Sequence, residues 1–592
     1  MPKHTDRVLL EEVDWPAVLP WLKIFRCFRM AMHPGKLVLA MILLTSMFLT
    51  GKVMDFIAGD AAPAGEIDQY RQLRYGLQTP GEFEKWKESR RRTSDDALAV
   101  LLRGIPNFKA DIGQVLAKSD PFSEAKAEIH AHYLSQYKDV IYLRDVVGGD
   151  DNWESQLQTI RDVRRAKLLA VDALRPHGTF HTALQFKLDA LNRLARATVT
   201  FNIGWSELAS RQGRHDNAVS APAPVPAPGM EDELPGIVVG GADYSAYQDQ
   251  TTVIAALRDL VFILPGWLWS QHRTFLIVYM LVALLLYSIL GGAISRMCAL
   301  DATRSEQISI RECLRFSSAR AWSFFIAPIA PIGVVLVVGL LMMIGGFILF
   351  SPPAMGVDIL GGLLFIVTIL CGAIITLTVV LSTAAMPLAY PAMAVEGADV
   401  FDAIARVFNY VINRPWRWFI YNFFALLYGA VTYLFIAFLL VLLVNVVHEF
   451  VGFWVVTKTD LGVNRFDVIF PSPRGTGLSY TSDYQMLDWS GRIAAIFVRC
   501  WMFFTILLTM AYVVTFFFSA QTWIYLLLRK SSDGVGFEDV YLEEPIEQPE
   551  QSTGASVPDK MEPEEAQEQN QERSEGSAAS PDATKPEGDE ST

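Results

Sequence analysis

Six stretches of this chain are long and apolar enough to cross a bilayer, and nothing else in the sequence limits its fold as much. About 20 apolar residues span the roughly 30 Å of hydrocarbon. A segment buried there must satisfy its own backbone, which makes each one a helix. The predicted spans run from about Leu37 to Ile57, Phe275 to Ala299, Trp322 to Phe350, Ile359 to Met386, Phe419 to Val447 and Cys500 to Leu528. The first is the least hydrophobic, with Thr45, Ser46, Thr50 and Lys52 in or near it. Its long polar leader and the poor cleavage site after Asp60 point to a retained helix and not to a removed secretory signal.

The basic residues orient these spans. Lys3, Arg7, Lys23, Arg26, Arg29 and Lys36 precede the first, and Arg296, Arg304, Arg311, Arg315 and Arg320 separate the second from the third. Arg406, Arg414 and Arg417 lie between the fourth and fifth, and Arg529 and Lys530 follow the sixth. With six crossings all of these fall on one side, so both termini are expected in the cytoplasm. A bacterial-type cytoplasmic membrane fits this organisation. Trp267, Trp269, Trp322, Trp416 and Trp418 stand at span ends, where amphipathic rings favour the headgroup level. Together with Arg406, Arg414 and Arg417 they are the candidate membrane-interface residues.

The predicted class is therefore an all-α integral membrane protein of about six transmembrane helices, with cytoplasmic interfacial helices and an extracytoplasmic helical-hairpin or bundle domain. Residues 1–57 hold an amphipathic N-terminus and the first span. Residues 58–217 form the extracytoplasmic helical domain, and 218–252 an Ala/Pro-rich linker. Residues 253–530 hold an outer interfacial helix and the remaining spans, with an outer loop over 448–492. Residues 531–592 make an acidic tail. That tail carries 18 acidic and 3 basic residues, so its net charge of −15 exceeds the −13 of the whole chain. Its composition predicts disorder.

In the helical block, Leu157, Ile160, Leu168, Val171 and Leu174 keep helical spacing, and so do Leu184, Leu188, Leu191 and Ala195. Arg175-Pro-His-Gly178 between them breaks the helix and predicts an antiparallel return. After the linker, Val253, Ile254, Leu257, Leu260, Val261 and Leu264 form an apolar stripe, as on a helix lying along the outer membrane surface. The outer loop is expected to pack on the helical block.

A similar unit precedes each span that leaves the cytoplasm: Leu22–Phe28 before the first, Ile310–Phe316 before the third and Phe401–Phe408 before the fifth. In the last, Val400, Ile404, Val407, Phe408 and Val411 share a face. Such helices serve either as elbows that fix the next span or as a collar that contacts lipid. With Pro387-Leu-Ala-Tyr-Pro391, Glu396 and the Phe401–Phe408 helix, residues 300–450 resemble a broad group of bacterial multi-spanning proteins. That group includes the membrane region beside some glycerophosphodiester phosphodiesterases. The resemblance implies an architecture; no phosphodiesterase domain is visible in this chain.

The chemistry is sparse. There is no GxSxG, no Walker loop and no dinucleotide fingerprint, and the five cysteines form no CxxC or Cys/His cluster. A metal needs three or four converging ligands, so His177 and His181, four apart, and His130 and His132, two apart, are read as ordinary surface or packing histidines, and no catalytic, cofactor or metal site is predicted. No basic stripe with interleaved aromatics appears, which excludes nucleic acid as an expected partner. Asn445, His448 and Glu449 cluster at the end of the fifth span and are candidates for a polar vestibule. The glycines Gly291, Gly292, Gly339, Gly345, Gly346, Gly361 and Gly362 suit close helix packing. The leading expectation is a non-enzymatic scaffold, assembly or interaction component. Its partners are membrane lipids and proteins met through the helical domain or the acidic tail. A transporter or channel for a small or lipid-like solute is the alternative, and a membrane enzyme of lipid or envelope metabolism, acting near His448 and Glu449, the next.

Overall fold

A computed structural model of the chain describes residues 20–58, 62–74, 79–147, 153–200, 202, 252–304, 309–350, 357–471 and 483–541. The linker at 218–235, the loop segment at 472–480 and the tail beyond Tyr541 lie outside the described residues. Those described contain helices and no strand, and seven helices are long and apolar enough to cross a membrane.

A short 3-10 turn, Pro20–Phe25, leads into α1 (Arg26–Ala31) and then α2 (Pro34–Ala58), the first long apolar helix. Six helices of the polar block follow: α3 (Glu66–Arg74), α4 (Pro80–Arg103), α5 (Ile112–Leu116), α6 (Pro121–Val147), α7 (Trp153–Leu174) and α8 (Thr179–Val199). The start of α4 shows why such a polar sequence is helical. Thr79 accepts from the Glu82 N–H while Glu82 accepts from the Thr79 N–H, a capping box with Pro80 in the first turn.

Two small cores hold this domain. Leu98, Leu102, Ile105, Val115, Phe122, Ile129, Tyr133 and Val171 join α4 to α7, and Ile67, Tyr70, Phe83, Phe186, Ile263 and Trp267 join α3, α4 and α8 to α9 (Val253–Gln271). The expected hairpin of α7 and α8 does not form. α7 packs on α6, whereas α8 packs on α9 and α2. Pro176 and Gly178 do break the helix, but the connector is pinned to the chain after α2, where Ala62 and His177 exchange backbone hydrogen bonds of 3.2 Å each. α8 is thereby directed to the bundle instead of back along α7.

α9 is the seventh apolar helix, beyond the six read from the sequence. It buries Ala256, Asp259, Ile263 and Trp267 in the domain and exposes Leu257, Val261, Phe262 and Trp269 on the other side. Asp259 is paired with Arg71 at 3.4 Å and Arg193 at 3.3 Å, tying α3, α8 and α9 together. α10 (Arg273–Arg304) then runs the length of the bundle, with a π turn at Tyr287–Gly291.

The predicted third span is broken. α11 (Ile310–Ala319) and α12 (Ala321–Ile326) precede α13 (Ala330–Phe350), with Pro328 and Pro331 flanking the break. α14 (Val357–Glu396) continues through Pro387 and Pro391, and α15 (Val400–Asn413), α16 (Pro415–Gly452), α17 (Arg465–Ile469) and α18 (Trp489–Asp533) complete the order.

One large core gathers α1, α11, α15 and the adjoining ends of the long helices. The three repeated units are all helices, and they converge here. Their apolar faces meet protein: Cys27 and Met30, Cys313 and Phe316, and Ala403, Val407 and Tyr410 are buried. This is elbow packing. Leu388–Val395, which overlaps the Pro387–Pro391 motif, is buried in the same core. Far from it, α13 and the upper part of α14 pack on each other and are otherwise bare. A Cβ on Gly339, Gly345, Gly346 or Gly362 would meet nothing within 4 Å, whereas one on Gly292 would lie 2.4 Å from the Ser317 hydroxyl. Close packing at glycine thus holds for Gly291 and Gly292 and not for Gly339, Gly345, Gly346 or Gly362, while Gly361 is buried.

Candidate functional site

The two ends of the bundle treat charge differently. At the end that carries the helical domain, the last turns of α2 meet the α7–α8 connector and enclose an open cleft of about 450 Å³. α2 supplies Lys52, Asp55 and Phe56, and the connector and its flanks supply Asp172, Arg175, Pro176, His177, Gly178 and His181. The geometry follows from one carboxylate. Asp55 accepts from the backbone N–H groups of Phe180 (2.7 Å) and His181 (3.0 Å), capping α8 from another helix. The natural N-cap position holds Gly178, which has no side chain to offer, and a Cβ there would lie 2.2 Å from the Asp55 Cγ. A negative group at a helix start also meets the positive end of the helix dipole.

The imidazoles of His177 and His181 stand with centroids 4.7 Å apart and planes at 61°. Burial, with His177 and the Lys52 ammonium nearby, lowers the pKa of His181 to about 4 against the opposing pull of Asp55. At neutral pH its ring is uncharged. Both carboxylates of the cleft are engaged, Asp55 on α8 and Asp172 with Lys126. Arg175 donates to Asp120 at 3.0 Å. Lys52 makes no ion pair among the described residues; its Nζ lies 5.8 Å from the Phe48 ring centroid. The cleft is therefore lined by an ammonium without an ion pair among the described residues, a guanidinium held by Asp120 and two imidazoles, beside the Asp55 and Asp172 carboxylates. No group of three His, Cys, Asp or Glu side chains suited to a metal exists among the described residues. His130 instead accepts from Arg164 Nε at 2.9 Å, while His132 meets Gln136 and Phe108.

The polar vestibule does not assemble. Asn445 is exposed and donates back to the Val441 carbonyl at 2.8 Å, and Glu449 is exposed. His448 instead holds the following loop: its Nδ1 is 3.2 Å from the Phe470 carbonyl, its Nε2 is 3.5 Å from Asp467, and its ring stacks on Phe466. The three positions share one helix face, at i, i+3 and i+4, but only His448 engages the loop, and Asn445 turns back to its own helix.

Of the interface candidates, Trp267 is misplaced by sequence reasoning. It is 0% exposed, packed in the domain core against His272. Trp269, Trp322 and Trp416 are exposed, as are Arg414 and Arg417. Trp418 is partly buried against the large core. Arg406 pairs with Glu396 and, at 2.9 Å, with Asp402.

The elbow end holds a network that the sequence did not announce. Lys36, buried, donates to the Met30 carbonyl (3.1 Å) and to Asp301. Arg296, buried, donates to the carbonyls of Ala394 (2.6 Å) and Tyr541 (2.7 Å) and lies over the Phe316 ring. Arg320 donates to the Gly397 carbonyl, and Arg529 to the Asp539 carbonyl (2.7 Å). Glu396 receives Arg529 (3.2 Å), Arg406 and the Tyr525 hydroxyl. The chain after α18 folds onto this network. Gly534, at φ 73°, ends the helix in the left-handed conformation, Phe537 lies under Lys23 and Lys530, and the Tyr541 N–H donates to the Val395 carbonyl at 2.9 Å. Residues 534–541, read as the start of the acidic tail, are thus an ordered strap. Phe537, Val540 and Tyr541 were the signal for it, hidden among glycines and acids.

No family model, curated protein or solved structure matches the chain. The likeness over residues 300–450 rests on its own residues.

Proposed function

We propose that the chain is a non-enzymatic assembly or interaction component of a bacterial-type cytoplasmic membrane, built to hold a helical domain firmly on the outer face. It crosses six times, through α2, α10, the α12–α13 pair, α14, α16 and α18, with both termini in the cytoplasm. α9 lies along the outer surface, between the domain that buries Asp259 and Trp267 and the bilayer that meets Leu257, Val261 and Phe262.

The observation that carries this reading is the mounting of the domain at sequence-distant points. Asp55 caps α8. Arg164, buried in α7, donates to Asp483 at 2.7 Å in the turn before α18. Arg161 donates to the Leu461 carbonyl at 3.1 Å, and Leu461 packs against Tyr137 and Leu157. A buried guanidinium stripped of its carboxylate costs about 3–5 kcal/mol, so the domain does not swing freely. Groups that convene here fix one segment on another, which suits presentation of a surface.

The test is gentle extraction of the full chain from native membranes, followed by mass spectrometry. Stoichiometric protein partners lost on Asp483→Ala, with the bundle still folded, are the expected result. A chain that purifies alone and supports solute flux into vesicles would replace this reading with the transport one.

A further inference from the structure

We infer that the cleft between the end of α2 and the α7–α8 connector binds a phosphate group, carried by an anionic phospholipid headgroup or present as the free ion. Its carboxylates are already occupied, Asp55 by two backbone N–H groups and Asp172 by Lys126. The cleft is lined by Lys52, which makes no ion pair among the described residues, by two imidazoles, and by Arg175, whose guanidinium also donates to Asp120 at 3.0 Å; ammonium, guanidinium and imidazole groups are donors that anionic oxygens take. The elbow end supplies the contrast, because Arg296, Arg320 and Arg529 there are bound to carbonyls and carboxylates of this chain.

Position favours a lipid as the carrier. Leu49, Val53, Phe56 and Ile57 are exposed along one side of α2, and Phe56, 90% exposed, also lines the cleft. A phosphate on Lys52 would place acyl chains along that stripe, so charge and apolar contact act on one molecule. A cleft of about 450 Å³ holds a headgroup. Bound phosphate would raise the His181 pKa from its lowered value, because an anion favours the imidazolium. The inference stands apart from the assembly reading.

The test uses the full-length protein in nanodiscs of phosphatidylcholine with and without phosphatidylglycerol, read by native mass spectrometry of lipid retained after release into detergent. Inorganic phosphate is added separately, read by thermal unfolding. Wild type is expected to retain phosphatidylglycerol, and Lys52→Gln to lose it about tenfold while Lys52→Arg keeps it. Unfolding of Lys52→Gln in pure phosphatidylcholine at the wild-type temperature shows that the variant is folded. Stabilisation of wild type, but not Lys52→Gln, by inorganic phosphate without lipid preference assigns the site to the free ion. Equal lipid retention by wild type and Lys52→Gln, with no response to phosphate, overturns the inference. A wild-type chain that purifies from native membranes without protein partners, with lipid retention intact, would remove the assembly reading and leave this one standing.

Discussion

Cations at the elbow end and cations at the domain end come from similar sequence contexts, the polar flanks of apolar helices, yet they do different work. At the elbow end Lys36, Arg296 and Arg529 are buried and joined to backbone carbonyls, Asp301, Glu396 and Asp539. At the domain end Lys52 is partly exposed beside a cleft whose acids are occupied. Basic residues at the ends of apolar helices therefore divide into those that close the fold and those left to meet something else. At the elbow end the buried cations reach the carbonyls of Met30, Ala394, Tyr541 and Asp539, whereas Lys52 makes no ion pair among the described residues.

If this contrast is right, the largest effect belongs to the elbow end. Arg296→Ala should destabilise the bundle by about 3–5 kcal/mol, because two carbonyls and the Phe316 ring lose a buried partner. Limited proteolysis should then cut earlier, near the strap at 534–541. Asp55→Ala should cost about 1–2 kcal/mol by removing the cap of α8, seen as faster amide exchange confined to the first turn of α8. Wild-type exchange there would mean that the mounting does not depend on Asp55.

Acid should act on the domain. Burial and the neighbouring Arg164 lower the pKa of His130 to about 4, against the pull of Asp483, from an unfolded value near 6.5. The folded state therefore binds fewer protons than the unfolded one between these values. Stability is complete above pH 6.5 and falls as the pH drops towards 4. The loss is about 1–2 kcal/mol, less than full linkage because the ring is partly solvated. His130→Gln should flatten that slope in a pH series of thermal unfolding. The smallest effect is expected from Trp416→Ala, below about 0.5 kcal/mol, because the ring is 77% exposed.

Much of the architecture was legible because hydrocarbon thickness imposes a length that side chains cannot disguise. The apolar runs are helices, and the Leu22, Ile310 and Phe401 units are helical and packed in the large core. Legibility fell where partners are distant in sequence. The spacing in α7 and α8 predicted helices correctly, but not that α7 pairs with α6, since periodicity marks a buried face without naming its neighbour. Trp267 looked like a headgroup anchor because only tertiary contact with Tyr70, Phe83 and Phe186 buries it. The strap was missed because three apolar residues among acids carry little weight in composition. His177 and His181 were noticed by spacing and Arg175 as part of their connector; Asp55 and Lys52, which complete the cleft, come from α2 and have no pattern to link them.

The account turns on the domain and the elbows lying on opposite faces of the membrane. In a background with Cys371 and Cys500 replaced by Ser, the two cysteines that are not buried, single cysteines at exposed Ser135 and exposed Asn413 would be labelled with a membrane-impermeant maleimide. Ser135→Cys should react in intact spheroplasts, and Asn413→Cys only after permeabilisation. Reaction of both before permeabilisation, or of Asn413→Cys alone, would contradict the six-crossing arrangement and the domain's place outside.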